Sequence, residues 1–397
     1  MMFNLTQIQQ ALRDCNLPGW LLYDFRGSNV PTRRVLGLSD PPGSRRFFYF
    51  VPAQGTPHKL VHRIEENALD SLPGDQTVYL SWQELTAGVK SMLAGTPRVA
   101  MEYSPRNSNP YVSRVDAGTV EMVRACGVEV VSSGDLVQLF EAVWDDAQIA
   151  THRAAAVVTD AAYGVAWRFI AEEVRQHGRV SEVAVQTRIM QHFHEHQLTT
   201  YHPPIVARPP QSALPHYETG VGEDIEIRPG DLVLIDLWAK QDRPRAVYSD
   251  LTRMAYLPAT NEETPTKYAA AFAVVTAARD AAIACVTEAF RLQRPIQGFE
   301  VDDACRAVIQ KSPFAGAFVH RTGHNIGQEV HGNGANIDNL ESHEERRLLP
   351  RTCFSIEPGI YLPGQFGVRS EINVLITPSG EAEVTGGALQ TRIHRIG

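Results

Sequence analysis

Four acidic side chains in the second half of the chain lie inside apolar segments of strand length. Asp236 interrupts LVLIDLWA, Asp250 lies in VYSDLTR, Glu357 in FSIEPG and Glu371 in VRSEINVLI. Successive side chains of a strand point to opposite faces, so acids embedded in apolar strands are rare unless something compensates for their burial. The compensating cation is either a basic side chain or a metal ion. A salt bridge, a turn or an edge strand would explain any one of these acids, whereas all four together favour a site.

A glycine-rich segment between the second and third acids supplies histidines. VHRTGHNIGQEVHG places His320, His324 and His331 among glycines. Glycine lets the backbone approach a ligand closely and bend around it. Imidazoles crowded in this way indicate a site.

Residues 150 to 397 resemble the pita-bread metallopeptidases, the group that contains methionine aminopeptidase, aminopeptidase P, prolidase and creatinase. In that family the order Asp, Asp, His, Glu, Glu binds two metals, and here it falls on Asp236, Asp250, His324, Glu357 and Glu371, with SDLTR, HRTGH, IEPGIY and VRSEI around them. Such an oxygen-rich set suits two divalent ions per subunit, manganese first, with zinc or cobalt as alternatives. Four carboxylates offset two dications, and a water bridging metals ~3.5 to 4 Å apart would lose a proton near neutral pH and become the nucleophile.

The resemblance implies a role for each of these ligands. Asp236 would chelate one metal, while His324 and Glu357 would bind at the other. Asp250 and Glu371 would bridge the pair. Glu357 would also be the general base, which takes the proton of the attacking water and passes it to the leaving nitrogen.

The resemblance also implies substrate-binding residues. His331 and His216, the latter in SALPHYETG, match the histidines that stabilise the family's tetrahedral intermediate. His320 matches the histidine that packs beside the proline ring in the proline-specific branch. Arg369 lies two residues before the last glutamate, on the same strand face, and would orient the carboxylates.

The implied activity is hydrolysis of the bond before proline, which lacks an amide hydrogen and escapes peptidases that need one. Methionine aminopeptidase is disfavoured by the N-terminal domain of roughly 145 residues, and creatinase by the complete ligand set. The spacing of Glu357 to Glu371 favours an Xaa-Pro dipeptidase (prolidase) over an Xaa-Pro aminopeptidase, which is the alternative. A non-catalytic peptide-binding module is a third alternative, disfavoured because every ligand position is intact.

A second histidine pair has to be weighed against this site. His192 and His196 in QHFHEHQL have the helical spacing of a metal pair. No third ligand is apparent nearby, and a polar helix face explains the pair. The sequence therefore disfavours a metal there.

Three departures from the family pattern indicate a distinct subgroup. The hairpin between Asp236 and Asp250 is longer than usual, although the metal geometry should survive a longer turn. GNGAN follows His331 where an acid is usual, and Ile372 replaces an acid that often follows the last glutamate.

The elements that must position these residues form two predicted domains. Residues 1 to 145 contain the strand-length runs WLLYD, RFFYFV, TVYLSW, RVAMEY and VEVVSS, and form a creatinase-like α/β domain. A helix capped by Asp145 and ended by Gly178 opens the catalytic domain, residues 146 to 397. Further helices are predicted near Val185, from Lys267 to Phe290 and from Val301. With the strands around the acids they give an α+β pita-bread fold.

Composition excludes some classes of partner. The 37 Lys and Arg against 45 Asp and Glu give a net charge of -8, which disfavours nucleic acid as a partner.

A signal peptide is not evident and no stretch approaches the ~20 apolar residues of a membrane span, so a cytoplasmic protein is expected. The five dispersed cysteines are expected to be buried thiols. By resemblance, the partners are a small Xaa-Pro peptide and a second copy of the chain in a homodimer.

Overall fold

Residues 3–38 and 41–397 are described by the computed structural model. The chain divides into two compact units, one ending at Glu141 and the other comprising Ala142–Gly397. The predicted domain boundary lies between residues 145 and 146, and Asp145 caps the helix that follows it. Asp145 accepts from the amide of Gln148, and the helix ends at Gly178, whose φ of 76° suits glycine.

The N-terminal unit is a mixed sheet with helices on both faces. Its strands are β1 (Gly19–Asp24), β2 (Phe47–Pro52), β3 (His58–His62), β4 (Asp75–Tyr79), β5 (Arg98–Met101) and β6 (Glu129–Ser132), in the order β4-β3-β2-β1-β5-β6. Its helices are α1 (Leu5–Asp14), α2 (Val30–Leu36), α3 (Trp82–Met92), α4 (Ala117–Arg124) and α5 (Gly134–Glu141). Trp20 and Leu22 of β1 join one core cluster while Leu21 and Tyr23 join another, so both faces of this strand are buried.

The C-terminal unit contains the predicted site. Its helices are α6 (Asp146–His177), α7 (Glu182–Glu195), α8 (Thr266–Arg291) and α9 (Gly298–Gln310). Its strands are β7 (Val180–Ser181), β8 (Leu198–Thr199), β9 (Ile205–Ala207), β10 (Glu226–Ile227), β11 (Leu232–Gln241), β12 (Ser249–Tyr256), β13 (Asn325–Ile326), β14 (Cys353–Ile356), β15 (Gly359–Leu362), β16 (Phe366–Arg369), β17 (Ile372–Ile376), β18 (Ala382–Thr385) and β19 (His394–Arg395). The main sheets run β19-β12-β11-β8, with β9 also paired to β11, and β13-β14-β17-β18.

Helices cover the long β11–β12 hairpin on both faces. Val233, Ile235 and Leu237 of β11 pack with residues of α6 and α7. Leu232 and Leu234 pack with residues of α8 and α9. Because side chains alternate along a strand, even-numbered positions of β11 share the second face, and Asp236 is the next of them.

Segments that read as single strands in the sequence are broken at the two predicted glutamate ligands. Glu357 follows β14 and precedes β15, and Glu371 lies between β16 and β17. β14 pairs with β17, whereas β15 pairs with β16 in a separate two-stranded sheet. Pro358 has no amide hydrogen to donate to a ladder, which helps to end pairing beside Glu357.

Two expectations from the sequence are wrong in detail. The first was that no stretch approaches the length and apolar character of a membrane span. α8 is 26 residues long and is apolar enough to cross a membrane by length and composition alone, although one face of it packs into the core with Ala271, Phe272 and Val275. Among the cysteines, Cys305 and Cys353 are buried as expected, but Cys15 is exposed.

Candidate metal centre

The β11–β12 hairpin brings the two predicted aspartates to one face of the sheet. Asp236 is paired with Thr252 in the antiparallel register, and Asp250 lies two residues before Thr252. The two-residue period therefore directs all three side chains to the same side, with the aspartates as diagonal neighbours. Both aspartates are buried, and the longer turn beyond them leaves this register intact.

Thr252 connects this hairpin to the last predicted ligand. It forms an isolated antiparallel bridge with Glu371, and its Oγ1 donates to Oε2 of Glu371 at 2.8 Å. The same Oγ1 accepts from Nε of Arg369 at 3.0 Å. Thr252 was not predicted from the sequence, although its spacing of two from Asp250 in SDLTR places it on the same strand face.

His324 lies beside the carboxylates of Asp250 and Glu357, and one of its ring nitrogens is hydrogen-bonded to the backbone. Its Nδ1 is 3.2 Å from the carbonyl of Asn325, which accepts only, so this nitrogen carries the proton. Nε2 then presents its lone pair 3.4 Å from Oδ2 of Asp250 and 3.5 Å from Oε1 of Glu357. One ligand atom from each of Asp250, His324 and Glu371 lies within 4.8 Å of the other two.

Close backbone packing holds His324 in place. The amide of His324 donates to Oγ of Ser355 at 3.0 Å, and this hydroxyl lies 3.3 Å from Oε1 of Glu357. A Cβ on Gly323 would overlap the carbonyl oxygen of Ser355. Glycine at this position is therefore required by contact with the neighbouring strand.

A hydrogen-bond chain leads from the centre to one of the predicted substrate histidines. The guanidinium of Arg369 donates to Oδ2 of Asp236 and, at 3.1 Å, to the hydroxyl of Tyr361. This hydroxyl is also 2.9 Å from Nε2 of His320. Tyr361 was not identified from the sequence, although it follows Glu357 by four residues in the motif IEPGIY.

The carboxylates of this cluster lack sufficient positive charge from the protein. Burial and the charge of Asp236 raise the pKa of Asp250 well above its usual range. Burial, with the charges of Asp250 and Glu357, does the same to the pKa of Glu371. Within the described ranges, Oδ1 of Asp236 and Oδ1 of Asp250 are buried and find no hydrogen-bond donor. Oxygen atoms without donors beside an available imidazole nitrogen fit a divalent cation.

Two of the predicted site histidines, His324 and His331, have lowered pKa values, which favour the neutral imidazole. Burial, then the charge of Arg321, lowers the pKa of His324 to about 3. The neighbouring His324, then burial, lowers the pKa of His331 to about 2, with a smaller contribution from His216. The rings of His324 and His331 are 4.2 Å apart in an edge-to-face arrangement.

Burial separates the predicted ligands from the predicted substrate residues. Asp236, Asp250, His324 and Glu371 are buried and Glu357 is half-buried, whereas His216 and His331 are exposed and His320 is half-buried. The structure thus brings the predicted residues together, with the substrate histidines toward solvent. Their individual roles stay predictions.

A family model described as metallopeptidase family M24 matches residues 150–378. The chain belongs to metallopeptidase family M24. It is 30% identical over 214 residues to an Xaa-Pro dipeptidase of Pyrococcus furiosus, a match that covers 54% of this chain and 56% of that protein. It is 34% identical over 181 residues to a probable dipeptidase PepE of Mycobacterium tuberculosis, covering 45% and 43%. The chain thus spans about half the length of the curated relatives it matches.

A solved structure extends the likeness over nearly the whole chain. The dipeptidase PepE from Mycobacterium ulcerans superposes with a TM-score of 0.70 at 22% identity, covering 99% of this chain and 96% of that one. At this identity the likeness concerns the fold. The predicted α+β pita-bread fold of this M24 metallopeptidase is confirmed.

Proposed function

We propose that this M24 metallopeptidase hydrolyses the Xaa-Pro bond of dipeptides with the help of two divalent ions, manganese first. The observation that carries the proposal is the cluster of ligand atoms from Asp250, His324 and Glu371 within 4.8 Å. Glu357 adjoins this cluster through its contact with His324. Asp236 adjoins it through its ion pair with Arg369. The likeness to the Xaa-Pro dipeptidase of Pyrococcus furiosus supports the substrate class.

The five predicted ligands would hold the ions between the hairpin and the strands that follow it. Metal ions in such a site polarise a carbonyl and increase the acidity of water. Four carboxylates match two dications in charge, and the dications would offset both the burial and the mutual repulsion that raise the pKa of Asp250 and Glu371. Zinc and cobalt would also be accepted, because an oxygen-rich site selects weakly among these ions.

Glu357 is the ligand best placed to move protons. It is half-buried whereas the other four ligands are buried, so substrate and water can reach it. In the proposed reaction its carboxylate takes a proton from the attacking water and delivers it to the proline nitrogen as the peptide bond breaks. Ser355 Oγ, 3.3 Å from Oε1, holds the carboxylate in orientation.

The histidines would bind the peptide. Exposed His216 and His331 would donate hydrogen bonds to the oxyanion that develops on the scissile carbonyl. His320 would lie beside the proline ring. Its Nδ1 donates to the carbonyl of Arg321 at 2.7 Å and its Nε2 contacts Tyr361, so the ring is fixed before the substrate arrives.

Hydrolysis of Ala-Pro and Ala-Pro-Ala, after chelation and reloading with Mn²⁺, tests the proposal. Cleavage of Ala-Pro with little cleavage of Ala-Pro-Ala supports the dipeptidase. Equal rates on both would instead establish the alternative, an Xaa-Pro aminopeptidase. Cleavage of neither by metal-loaded protein would leave a peptide-binding module. Ala-Ala is the control for proline, and Glu357→Gln is the control for a contaminating peptidase.

We also propose a homodimer, which rests on the family resemblance, and a cytoplasmic location, which rests on the sequence alone. Light scattering of the eluted protein would test the dimer at its expected mass of twice 43.9 kDa. Fractionation of the source cells would test the location.

A further inference from the structure

The last turn of α7 carries a histidine-rich cluster outside the M24 centre. His192, Glu195 and His196 have the spacings of three and four residues that share a helix face. One ligand atom of each lies within 4.8 Å of the other two, and the two imidazole rings are 4.3 Å apart. The expectation that no third ligand lies near this histidine pair is therefore wrong, because Glu195 supplies one.

Both imidazoles are hydrogen-bonded as metal-binding histidines are. Nδ1 of His196 lies 2.9 Å from the carbonyl of His192, and Nε2 of His192 lies 3.3 Å from the carbonyl of Val158 on α6. A carbonyl accepts and cannot donate, so each of these nitrogens carries the proton. The other nitrogen of each ring then offers its lone pair. A backbone acceptor that fixes the tautomer in this way also fixes the orientation of a metal-binding ring.

Charge at the cluster also permits cation binding. Burial and the charge of His196 lower the pKa of His192 below its usual value, so protons compete little for this ring at neutral pH. Oε1 of Glu195 accepts from Nε2 of Gln191 at 2.9 Å, which orients a carboxylate that has further acceptor capacity. Arg188, one turn earlier, opposes a cation and limits the affinity.

We propose that His192, Glu195 and His196 form a second metal site, which takes a single borderline transition-metal ion of the Zn²⁺ class. Two imidazoles and one carboxylate are the ligand set of three-ligand zinc sites, with a fourth position open to water. Hard ions such as Mn²⁺ and Mg²⁺ prefer carboxylate oxygens and belong to the M24 centre instead. The ion would fasten the turn at which α7 ends, so it stabilises structure and takes no part in the hydrolysis.

Exposed residues of the same turn allow a matched test on the full-length chain. His196→Ala and Glu195→Gln remove ligands from exposed positions, which avoids disturbing buried His192. His194→Ala removes an exposed histidine between them that lies outside the cluster, and it is the control. Each protein is first loaded with Mn²⁺, then dialysed against Zn²⁺ in the presence of Mn²⁺, and its bound zinc is counted by mass spectrometry. Zinc that replaces manganese at the M24 centre is expected to be the same in the wild type and all variants, so the difference in zinc content between them reports on the α7 cluster alone.

The proposal requires the wild type and His194→Ala to bind one more zinc per chain than His196→Ala. Zn²⁺ should raise the thermal midpoint of the first two proteins more than that of His196→Ala, since a ligand stabilises the fold that binds it. Glu195→Gln should need at least about tenfold more Zn²⁺ to fill the site. Equal zinc content in the wild type and His196→Ala overturns the proposal, as does an equal loss in His194→Ala. Hydrolysis of Ala-Pro by the Mn²⁺-loaded proteins should be unchanged throughout, so this outcome is independent of the proposed peptidase activity.

Discussion

The guanidinium of Arg369 donates to Oδ2 of Asp236 and thereby ties the first predicted ligand to the strand that leads into the last one. The same group donates to Thr252 and Tyr361. Arginine can make these contacts together because its planar fork carries five donors, whereas lysine offers a single ammonium. Arg369 thus fixes several neighbours of the metals at once.

Replacing Arg369 with lysine should therefore loosen the centre while keeping its charge. We expect kcat/KM for Ala-Pro and the affinity for Mn²⁺ each to fall by about 10- to 100-fold, as for other partners of metal ligands. Hydrolysis rates and a Mn²⁺ titration measure both quantities. Arg153→Lys is the control, because Arg153 pairs with Glu383 at the surface of the same unit. If the two variants behave alike, Arg369 does not position the ligands.

Replacing Glu357 with glutamine should separate proton transfer from metal binding. The amide oxygen can still face a cation, but the side chain can no longer accept the proton of the attacking water. We expect kcat for Ala-Pro to fall by about 10²- to 10⁴-fold, with most of the bound Mn²⁺ retained. Steady-state kinetics and metal analysis of the same sample test this. An unchanged kcat would assign proton transfer to another group.

Removing the metals should destabilise the C-terminal unit. Burial, and then repulsion between the carboxylates, raises the pKa of Asp250 and Glu371, so these carboxylates destabilise the metal-free centre. Mn²⁺ at a hundredfold excess over its Kd should add about 2.7 kcal/mol per site to the free energy of unfolding. Thermal melts with chelator and with Mn²⁺ measure the shift. Asp250→Asn should melt higher than the wild type in chelator and gain less from Mn²⁺; the reverse order would contradict this account.

Gly323→Ala tests the close approach behind the histidine ligand. The added Cβ meets the backbone carbonyl of Ser355, which cannot turn away as a flexible side chain could. We expect a loss of about 1–3 kcal/mol in the free energy of unfolding, together with weaker Mn²⁺ binding, because the shift reaches the next residue, His324. Gly164→Ala is the control. Its Cβ would lie on α6 with only the end of Arg168 nearby, so it should stabilise the helix by up to about 1 kcal/mol.

The sequence indicated which acids lie together in the structure, because their chemistry conflicts with their surroundings. Asp236 and Asp250 are acids in strands that are otherwise apolar, and such a conflict is visible without coordinates. The helix from Asp146 was equally visible, since its cap and its terminal glycine are local signals. Five of the strands in the N-terminal unit were predicted, whereas β3 (HKLVH) was not, because its few apolar residues are flanked by histidines.

Residues that act through tertiary contacts were harder to find. Thr252 and Tyr361 are ordinary strand residues in the sequence, and their importance arises only where distant segments meet. The breaks at Glu357 and Glu371 were missed for a related reason. Apolar, strand-forming residues lie on both sides of each glutamate, and the change of partner strand depends on pairing over long range. Glu195 was missed because one exposed acid on a polar helix face carries no signal of its own.

Glu182 should make stability depend on pH away from the metal centre. It is fully buried at the start of α7, where it accepts from the hydroxyl of Tyr217 at 2.7 Å and from the amide of Arg208 at 2.8 Å. Burial raises its pKa from 4.5 to about 7. At pH values between these two pKa values, Glu182 keeps a proton in the folded chain that it has lost in the unfolded chain. The contribution of Glu182 to the free energy of unfolding therefore falls as pH rises through this range and is constant above pH 7.

Glu182→Gln removes this ionisation and can keep both hydrogen bonds, since its oxygen accepts from Arg208 and its amide donates to Tyr217. Relative to the wild type, the variant should gain stability between pH 4.5 and 7, by up to about 3 kcal/mol from the size of the shift. Urea unfolding of both proteins across this range measures the difference. Tyr217→Phe is the matched variant. It removes a hydrogen bond that lowers the pKa of Glu182, so the pKa should rise further in this variant. The stability of Tyr217→Phe should therefore continue to decline above pH 7. Parallel curves for the wild type and Glu182→Gln would show that Glu182 ionises alike in the folded and unfolded chains.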